Sequence, residues 1–233
     1  MNEAIVLAGG RGTRLQSVVS DVPKPMAPIN GRPFLCYIFD MLLSHGYNHV
    51  VLSTGYMHEV IEQYFGDRYR DLAISYAREL SPLGTGGGLL NAIQHCHTDA
   101  VTVLNGDTLF HVDFEALHRF HQMHNTPLSI VLRHVDDTSR YGSVLTDADG
   151  RITSFVEKAD SQGAGYINGG IYLLSPTLFD GRTVGDVFSF ERDIMQSQYA
   201  QTPFYAMASD GYFIDIGIPE DYARAQREFP AIK

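Results

Sequence analysis

Ala4-Ile5-Val6-Leu7-Ala8-Gly9-Gly10-Arg11-Gly12-Thr13-Arg14 is an apolar run that empties into a glycine-rich turn closed by an arginine. The apolar residues 4–8 predict a buried strand. Gly9, Gly10 and Gly12 predict a turn whose backbone reaches φ > 0 and approaches a ligand with no Cβ in the way. Backbone N–H groups gathered in such a turn converge on an anion, as they do in nests and at helix N-termini. The stretch reads as a phosphate-binding loop. Taken alone, an ordinary strand-to-helix turn would also fit it, so the rest of the chain has to decide.

Two familiar phosphate loops are excluded by inspection. Counted from Gly10, the sixth place of a G-x-G-x-x-G fingerprint holds Leu15, so the third glycine that packs helix on strand is missing. A Walker loop needs Gly-Lys-Ser/Thr after four spacers, and no lysine precedes Lys24. What remains is a loop with its own cation, Arg14, followed ten residues later by Lys24 between Pro23 and Pro25.

The 233 residues are enough for a substantial core, and no linker composition divides them, so residues 1–233 are expected to form one α/β domain. The formal charge is −10, with no basic stripe, which disfavours a nucleic-acid surface. An anionic substrate would need a local positive pocket, for which Arg14, Lys24 and Lys158 are candidates. Cys36 and Cys96 lie sixty residues apart in apolar, helix-like stretches, which favours free thiols over a disulfide or metal site. No basic segment precedes an apolar leader and no apolar run is long enough to cross a bilayer, so the cytoplasm is the expected compartment, with no membrane partner.

Strand-like and helix-like runs alternate through 4–8, 34–45, 50–54, 59–65 and 73–77, which predicts βαβ units and a mainly parallel sheet. Residues 87–96 read as a further helix, 101–104 as a central strand, and 113–125 as an amphipathic helix. Four strand candidates follow at 128–134, 142–145, 152–157 and 166–174, with Asp149-Gly150 as a hairpin turn, and they predict an added antiparallel layer. A last strand over 212–216 precedes a helix entered at Pro219. The expected fold is α/β: a Rossmann-like mixed sheet, mainly parallel and flanked by helices, with residues 1–125 as one half and 126–233, which hold the added antiparallel layer, as the other.

Ligands of open α/β sheets sit beyond the carboxyl ends of the strands. Asn105-Gly106-Asp107 and Asp215-Ile216-Gly217 both stand at such ends. Two carboxylates brought together there repel unless a cation lies between them, and magnesium takes one or two carboxylates plus substrate phosphates. Each aspartate by itself could be only a turn former.

Taken together, Leu-Ala-Gly-Gly-Arg-Gly-Thr-Arg-Leu (7–15), Pro-Lys-Pro-Met (23–26), Pro-Leu-Gly-Thr-Gly-Gly (82–87), Asn-Gly-Asp (105–107), Phe-Val-Glu-Lys (155–158), Asn-Gly-Gly (168–170) and Asp-Ile-Gly (215–217) resemble the sugar-1-phosphate nucleotidylyltransferases, in the family's order and over almost the whole chain. The resemblance implies a GT-A-like nucleotidyltransferase fold. It implies that Leu7, Ala8, Gly9, Gly10, Gly12, Thr13 and Arg14 hold a nucleoside triphosphate, with Asn105 beside them, and that Lys24 bridges phosphates near the reacting centre. Gly84 and Thr85 would face base and ribose, and Asp107 and Asp215 would hold Mg2+. Glu157 would meet sugar hydroxyls, Lys158 the sugar phosphate, and Gly142, Asn168 and Gly169 would line the same pocket. Strand alternation puts Glu157 and Lys158 on opposite faces, so the strand must end or bulge there for both to reach one ligand.

Arg14, Lys24, Asp107 and Asp215 are then the expected catalytic set. The implied reaction is attack by a sugar-phosphate oxygen on the α-phosphorus, with pyrophosphate leaving and no general base needed. Arg-Tyr-Gly (140–142), Phe-Ser-Phe-Glu (188–191) and Tyr-Phe-Ile-Asp-Ile-Gly-Ile-Pro-Glu-Asp-Tyr (212–222) are most similar to the D-glycero-α-D-manno-heptose 1-phosphate guanylyltransferases. GTP and a heptose 1-phosphate are therefore the expected substrates. A guanine site needs an acceptor for its N1–H and N2–H2, which Glu79 or a backbone carbonyl can supply. Mannose 1-phosphate with GTP and N-acetylmuramate 1-phosphate with UTP stay open, as does a nucleotide-sugar-binding regulatory module without catalysis. Oligomeric state is not written in the sequence, although relatives often form dimers or tetramers, so a homo-oligomer is allowed. His118, His121 and His124 drift around one helix in surroundings neither acidic nor cysteine-rich and are not read as a zinc face.

Overall fold

The computed structural model describes residues 2–10, 12, 14–15 and 17–229. The chain opens with β1 (Glu3–Leu7) and crosses a 3-10 turn at Lys24–Met26. The two-residue strands β2 (Pro28–Ile29) and β3 (Arg32–Pro33) come next, and then α1 (Phe34–Ser44), which starts directly after Pro33. β4 (His49–Thr54), α2 (His58–Phe65), β5 (Arg68–Tyr69) and β6 (Leu72–Arg78) follow, then α3 (Gly84–Ile93) and β7 (Val101–Asn105). β8 (Thr108–Phe110) leads into α4 (Phe114–His124), whose first turn is capped by the Asp113 carboxylate accepting from the Ala116 N–H at 2.9 Å. The second half carries β9 (Leu128–Val135), β10 (Ser143–Thr146), β11 (Ile152–Val156), β12 (Gly165–Leu174), β13 (Tyr205–Ala208), β14 (Phe213–Asp215) and α5 (Pro219–Glu228).

Eight strands form one sheet in the order β13-β9-β12-β7-β1-β4-β6-β5. β7, β1, β4 and β6 are mutually parallel, β12 runs against β7 and β9, and β13 is parallel to β9. The chain builds outward from β1 through β4 to β6 and then returns to place β7 on β1's other side. That reversal opens a crevice between β1 and β7 at their carboxyl ends, where open α/β sheets take ligands.

Alternation along the strands feeds two cores. Ala4 and Val6 of β1 face one, with Phe34, Ile38, Phe39 and Leu42 of α1, while Ile5 faces the other, with Leu89 and Ile93 of α3 and Phe188, Phe190 and Phe204. Each such side chain larger than alanine contributes about 1.5–3 kcal/mol by leaving water, and β1 is buried on both sides.

The antiparallel addition is arranged differently from the expected separate layer. β9 and β12 extend the main sheet edge to edge, and only the β10–β11 hairpin forms its own two-stranded sheet, turned at Gly150 with φ +83°. The expected last strand is β14, but its partner β8 was not expected from the sequence, and neither were β13, the two-residue strands β2, β3 and β5, or a π-helical segment at Glu191–Gln196. Cys36 is buried in α1, whereas Cys96 lies past the end of α3, and both are free thiols. Among the described residues no helix is long and apolar enough to cross a membrane.

Candidate functional site

Where β1 and β7 end side by side, Leu7 pairs with Asn105 and the Gly106 N–H donates to the Leu7 carbonyl at 2.9 Å. A cavity of about 740 Å³ opens there. Its wall contains Leu7, Ala8, Gly9, Gly10, Gly12 and Arg14 from the first loop, Lys24, Glu79, Gly84 and Thr85 from the following connections, and Asn105 and Asp107 from the end of β7. Every described residue of the expected nucleotide set is thus brought to one cleft; Thr13 lies outside the described residues.

The glycine loop works by a different device at each position. Only Gly12 takes a positive φ, at +58°, and a Cβ there would stand 2.8 Å from the Lys24 Cβ. Gly9, expected to need φ > 0 as well, instead allows close approach: a Cβ would stand 3.0 Å from the Glu79 Oε1 and 3.4 Å from the Gly55 nitrogen. Gly10 faces open space, which leaves its backbone bare toward the cavity.

At the floor, β14 pairs with β8 so that Asp215 stands opposite Thr108, and the Ile216 N–H donates to the Asp107 carbonyl at 3.0 Å. This pairing brings together two aspartates 108 residues apart in sequence. Between them lies the Lys24 side chain, only 8% exposed, with Nζ 2.5 Å from the Asp107 Oδ2 and 3.7 Å from the Asp215 Oδ1. The Pro23 and Pro25 flanks and the packing of Gly12 on its stem fix where that ammonium points. Burial pushes the Asp215 carboxyl up from its ordinary range and the Asp107 charge adds to the rise, while Lys24, the Gly217 N–H and Arg14 oppose it. The pair is a concentration of negative charge that one lysine only partly relieves.

These donors suit a hard divalent cation. The pair offers carboxylate oxygens alone, and among the described residues no cluster of three or more His, Cys, Asp or Glu is arranged to complete a metal shell. Magnesium bound by one or two carboxylates, with substrate phosphates supplying further oxygens, has those requirements.

Beside Gly9 on the same wall, the Glu79 Oε2 accepts from the Leu83 N–H at 2.9 Å. Burial pushes this carboxyl up, against the Leu83 N–H and Ser53, which hold it down. The Thr85 hydroxyl donates to the Glu191 Oε2 at 2.6 Å and accepts from the Phe190 N–H at 2.9 Å, so it ties α3 to the 188–191 segment. Ser53 at the end of β4, Gly55 and Tyr56 after it, Leu80, Ser81 and Pro82 after Glu79, Pro25, Glu191 and Gly217 also line the cavity and were not singled out for it from the sequence. The carboxyl-end rule, applied to β4 as it was to β1 and β7, would have found Ser53 and Gly55.

The expected sugar-phosphate residues form two groups, neither on the wall of this cavity. Gly142, at φ +79°, lets the turn before β10 lie on the end of β11, where a Cβ would stand 2.5 Å from the Val156 carbonyl. β11 stops at Val156, Glu157 leads into a 3-10 turn at Lys158–Asp160, and both Glu157 and Lys158 are exposed. The strand therefore ends just before Glu157, so strict alternation does not hold Glu157 and Lys158 to opposite faces. The Glu157 Oε1 accepts from the Gln196 Nε2 at 2.8 Å. The second group sits where the register of β12 on β9 shifts between Asn168 and Tyr172. There the Asn168 Nδ2 donates to the Tyr172 hydroxyl at 2.9 Å, and its Oδ1 accepts from the Gly170 N–H at 3.0 Å. Gly169 lies against the Phe110 ring, and Gly170 lies so close to Asn105 that a Cβ would stand 2.6 Å from its Nδ2. The second group therefore adjoins the nucleotide cleft through Asn105.

Known proteins with this architecture carry related names. The chain is 46% identical to the D-glycero-alpha-D-manno-heptose 1-phosphate guanylyltransferase of Aneurinibacillus thermoaerophilus, over 97% of each chain, and 42% identical to the one of Campylobacter jejuni, over 94% of this chain and 96% of that one. It is 35% identical to the mannose-1-phosphate guanylyltransferase of Mycobacterium tuberculosis, over 97% of this chain but 64% of that protein. A crystal structure of HddC from Yersinia pseudotuberculosis complexed with GMP-PN superposes with a TM-score of 0.86 at 38% identity, over 98% of this chain and 100% of that one. With residues 3–231 matching the family described as nucleotidyl transferase, the crevice at the β1–β7 switch point belongs to a member of the nucleotidyl transferase family.

Proposed function

We propose that this enzyme transfers GMP from GTP to D-glycero-α-D-manno-heptose 1-phosphate, giving GDP-heptose and pyrophosphate. The observation that carries the reading is the convergence of the glycine loop, Lys24 and the Asp107–Asp215 pair at one switch-point cleft. The names of the relatives at 46% and 42% identity support the choice of base and sugar, and both align almost end to end with this chain.

The sugar-phosphate oxygen forms a bond to the α-phosphorus while the bond from that phosphorus to the bridging oxygen of pyrophosphate breaks. A phosphate monoester is already anionic near neutrality, so the chain has no need of a general base. Its task is to hold two polyanions in line and to neutralise charge that spreads over the transferring group. Gly10 and Gly12 offer backbone to the phosphates, Arg14 and Lys24 supply positive charge, and Asp107 and Asp215 would hold Mg2+. When bound, that ion withdraws electron density from the phosphate oxygens. Glu79, an acceptor on the cleft wall beside Gly9, would meet the N1–H and N2–H2 donors of guanine. Glu157, Lys158, Gly142, Asn168 and Gly169 would receive the sugar phosphate, and reaction in the cytoplasm without membrane or nucleic-acid partners fits the chain's charge.

The test is pyrophosphate release over a grid of GTP, ATP, UTP and dTTP against heptose, mannose, glucose and N-acetylated sugar 1-phosphates. The expected result is release that peaks with GTP and the heptose. Release only with UTP or dTTP would overturn the guanine assignment, and none anywhere would overturn the transferase reading itself.

A further inference from the structure

We propose that in the free enzyme the Lys24 ammonium stands in for the divalent cation between Asp107 and Asp215, so that metal is admitted only together with the nucleotide whose phosphates draw that ammonium away. The inference rests on the nucleotidyl-transfer reading and adds an order of events to it.

The geometry is that of an internal counter-ion. Nζ is hydrogen-bonded to the Asp107 Oδ2 and lies within ion-pair distance of the Asp215 Oδ1, which also accepts from the Gly217 N–H at 2.7 Å. The Asp107 Oδ1 accepts from the Thr108 hydroxyl at 3.2 Å. Both Asp107 oxygens and the Asp215 Oδ1 are thus already engaged. A divalent ion approaching both would meet a positive charge only a few ångströms away, and at that range in a partly buried site the repulsion decides occupancy. The lysine is held in this pose from both ends. A Cβ on Gly12 would press on its stem at 2.8 Å, and one on Gly217 would stand 3.1 Å from its Nζ.

The same contact supplies the release. Gly12 belongs to the loop that would cradle the triphosphate, so phosphates bound there arrive beside the Lys24 stem. A lysine has a flexible four-carbon chain and a point charge with three rotatable donors, so its head can transfer from carboxylate to phosphate while its Cα stays fixed. That one movement frees the Asp107 Oδ2, leaves the Asp215 Oδ1 with only the Gly217 N–H and adds phosphate oxygens next to them, which is the mixed shell magnesium prefers. Metal and nucleotide would then bind with positive coupling, because each removes an obstacle to the other.

The test measures Mn2+ binding to the whole protein by electron paramagnetic resonance, without and with a non-hydrolysable GTP analogue. The native protein is compared with Lys24→Met, Lys24→Gln and the double variant Lys24→Met/Asp215→Asn. Without nucleotide the two neutral variants are expected to bind Mn2+ at least about tenfold more tightly than the native protein. The gain is expected to vanish in the double variant. In the native protein the analogue is expected to tighten Mn2+ by a similar factor. Equal Mn2+ affinity of the native and both single variants without nucleotide overturns the inference, and so does a gain that survives Asp215→Asn. Circular dichroism identifies a variant that fails to fold, in which case the other neutral variant decides. A native protein that releases pyrophosphate but shows no unmasking sinks this inference alone, whereas unmasking without pyrophosphate release sinks only the reaction.

Discussion

The two ends of β1 each hold acid, enclosed at one and half-buried at the other, and they treat it in opposite ways. At the amino end the Glu3 carboxylate is fully enclosed and fully engaged. Its Oε2 accepts from the His97 N–H at 2.6 Å, and its Oε1 lies 2.9 Å from the His49 Nδ1 and 3.1 Å from the His97 Nδ1. Burial pushes this carboxyl up, but the His97 N–H and the two imidazoles outweigh it and hold it down at about 2. At the carboxyl end Asp107 and Asp215 share one lysine, and Asp215 is pushed up by burial and by its neighbour. A carboxylate with all its partners stabilises the fold, whereas a crowded, under-partnered pair is a place for something to bind.

The contrast can be broken or sharpened by substitution. The largest effect is expected from Asp107→Ala, which should lower turnover by roughly 10²-fold or more, the scale for losing one preorganised charge stabiliser. Pyrophosphate release would measure it, and near-normal turnover would remove the proposed chemistry. Gly12→Ala should lower turnover by roughly tenfold, since its Cβ displaces the Lys24 stem. It should also destabilise by about 1–2 kcal/mol, because an alanine is strained at that left-handed φ.

Glu3→Gln should reverse the pattern, with turnover unchanged and a loss of about 1–3 kcal/mol in urea unfolding. A pH series sharpens this. The Glu3 carboxyl titrates lower in the folded chain than its ordinary 4.5, so its stabilisation is present above that value and is lost as pH falls toward about 2. The melting temperatures of native protein and Glu3→Gln should therefore converge between pH 5 and the lowest pH at which both stay folded. The smallest effect on stability is at Asp215→Asn, which removes a half-buried charge crowded by Asp107. Its melting temperature should rise by roughly 2–4 °C at neutral pH even as turnover is lost. A fall would mean that Asp215 is there for the fold.

Much of this was legible because local signals and position agreed. Strand 4–8, the glycine loop and Asn105-Gly106-Asp107 each combine an apolar run with an abrupt polar stop, and the carboxyl-end rule turns such stops into a site. The Asp107–Asp215 meeting was readable only as a consequence of needing a cation between them; its structural cause, β14 pairing with β8, leaves no periodic trace in three-residue strands. Residues 205–208, Tyr-Ala-Met-Ala, have no turn signal and no alternation strong enough to announce an edge strand. Glu191 went unassigned to the cleft because nothing local marks a carboxylate that reaches Thr85, 106 residues away. The antiparallel strands were found as strands, but sequence alternation does not say whether a strand lengthens an existing sheet or starts another.

The opening turn of α3 carries a further consequence. Gly84, Gly86, Gly87 and Gly88 make it a poor helix by intrinsic preference, at about 1 kcal/mol per glycine relative to alanine. A Cβ on Gly86 would overlap the Phe188 ring, and the Gly86 N–H donates to the Phe188 carbonyl at 3.0 Å. The helix start therefore takes its shape from a segment synthesised about a hundred residues later, and in a growing chain it would wait for that segment before setting. A nascent polypeptide cut short of Phe188 should lack an ordered wall on this side of its cleft, so the finished cleft is expected to be among the last features the molecule acquires.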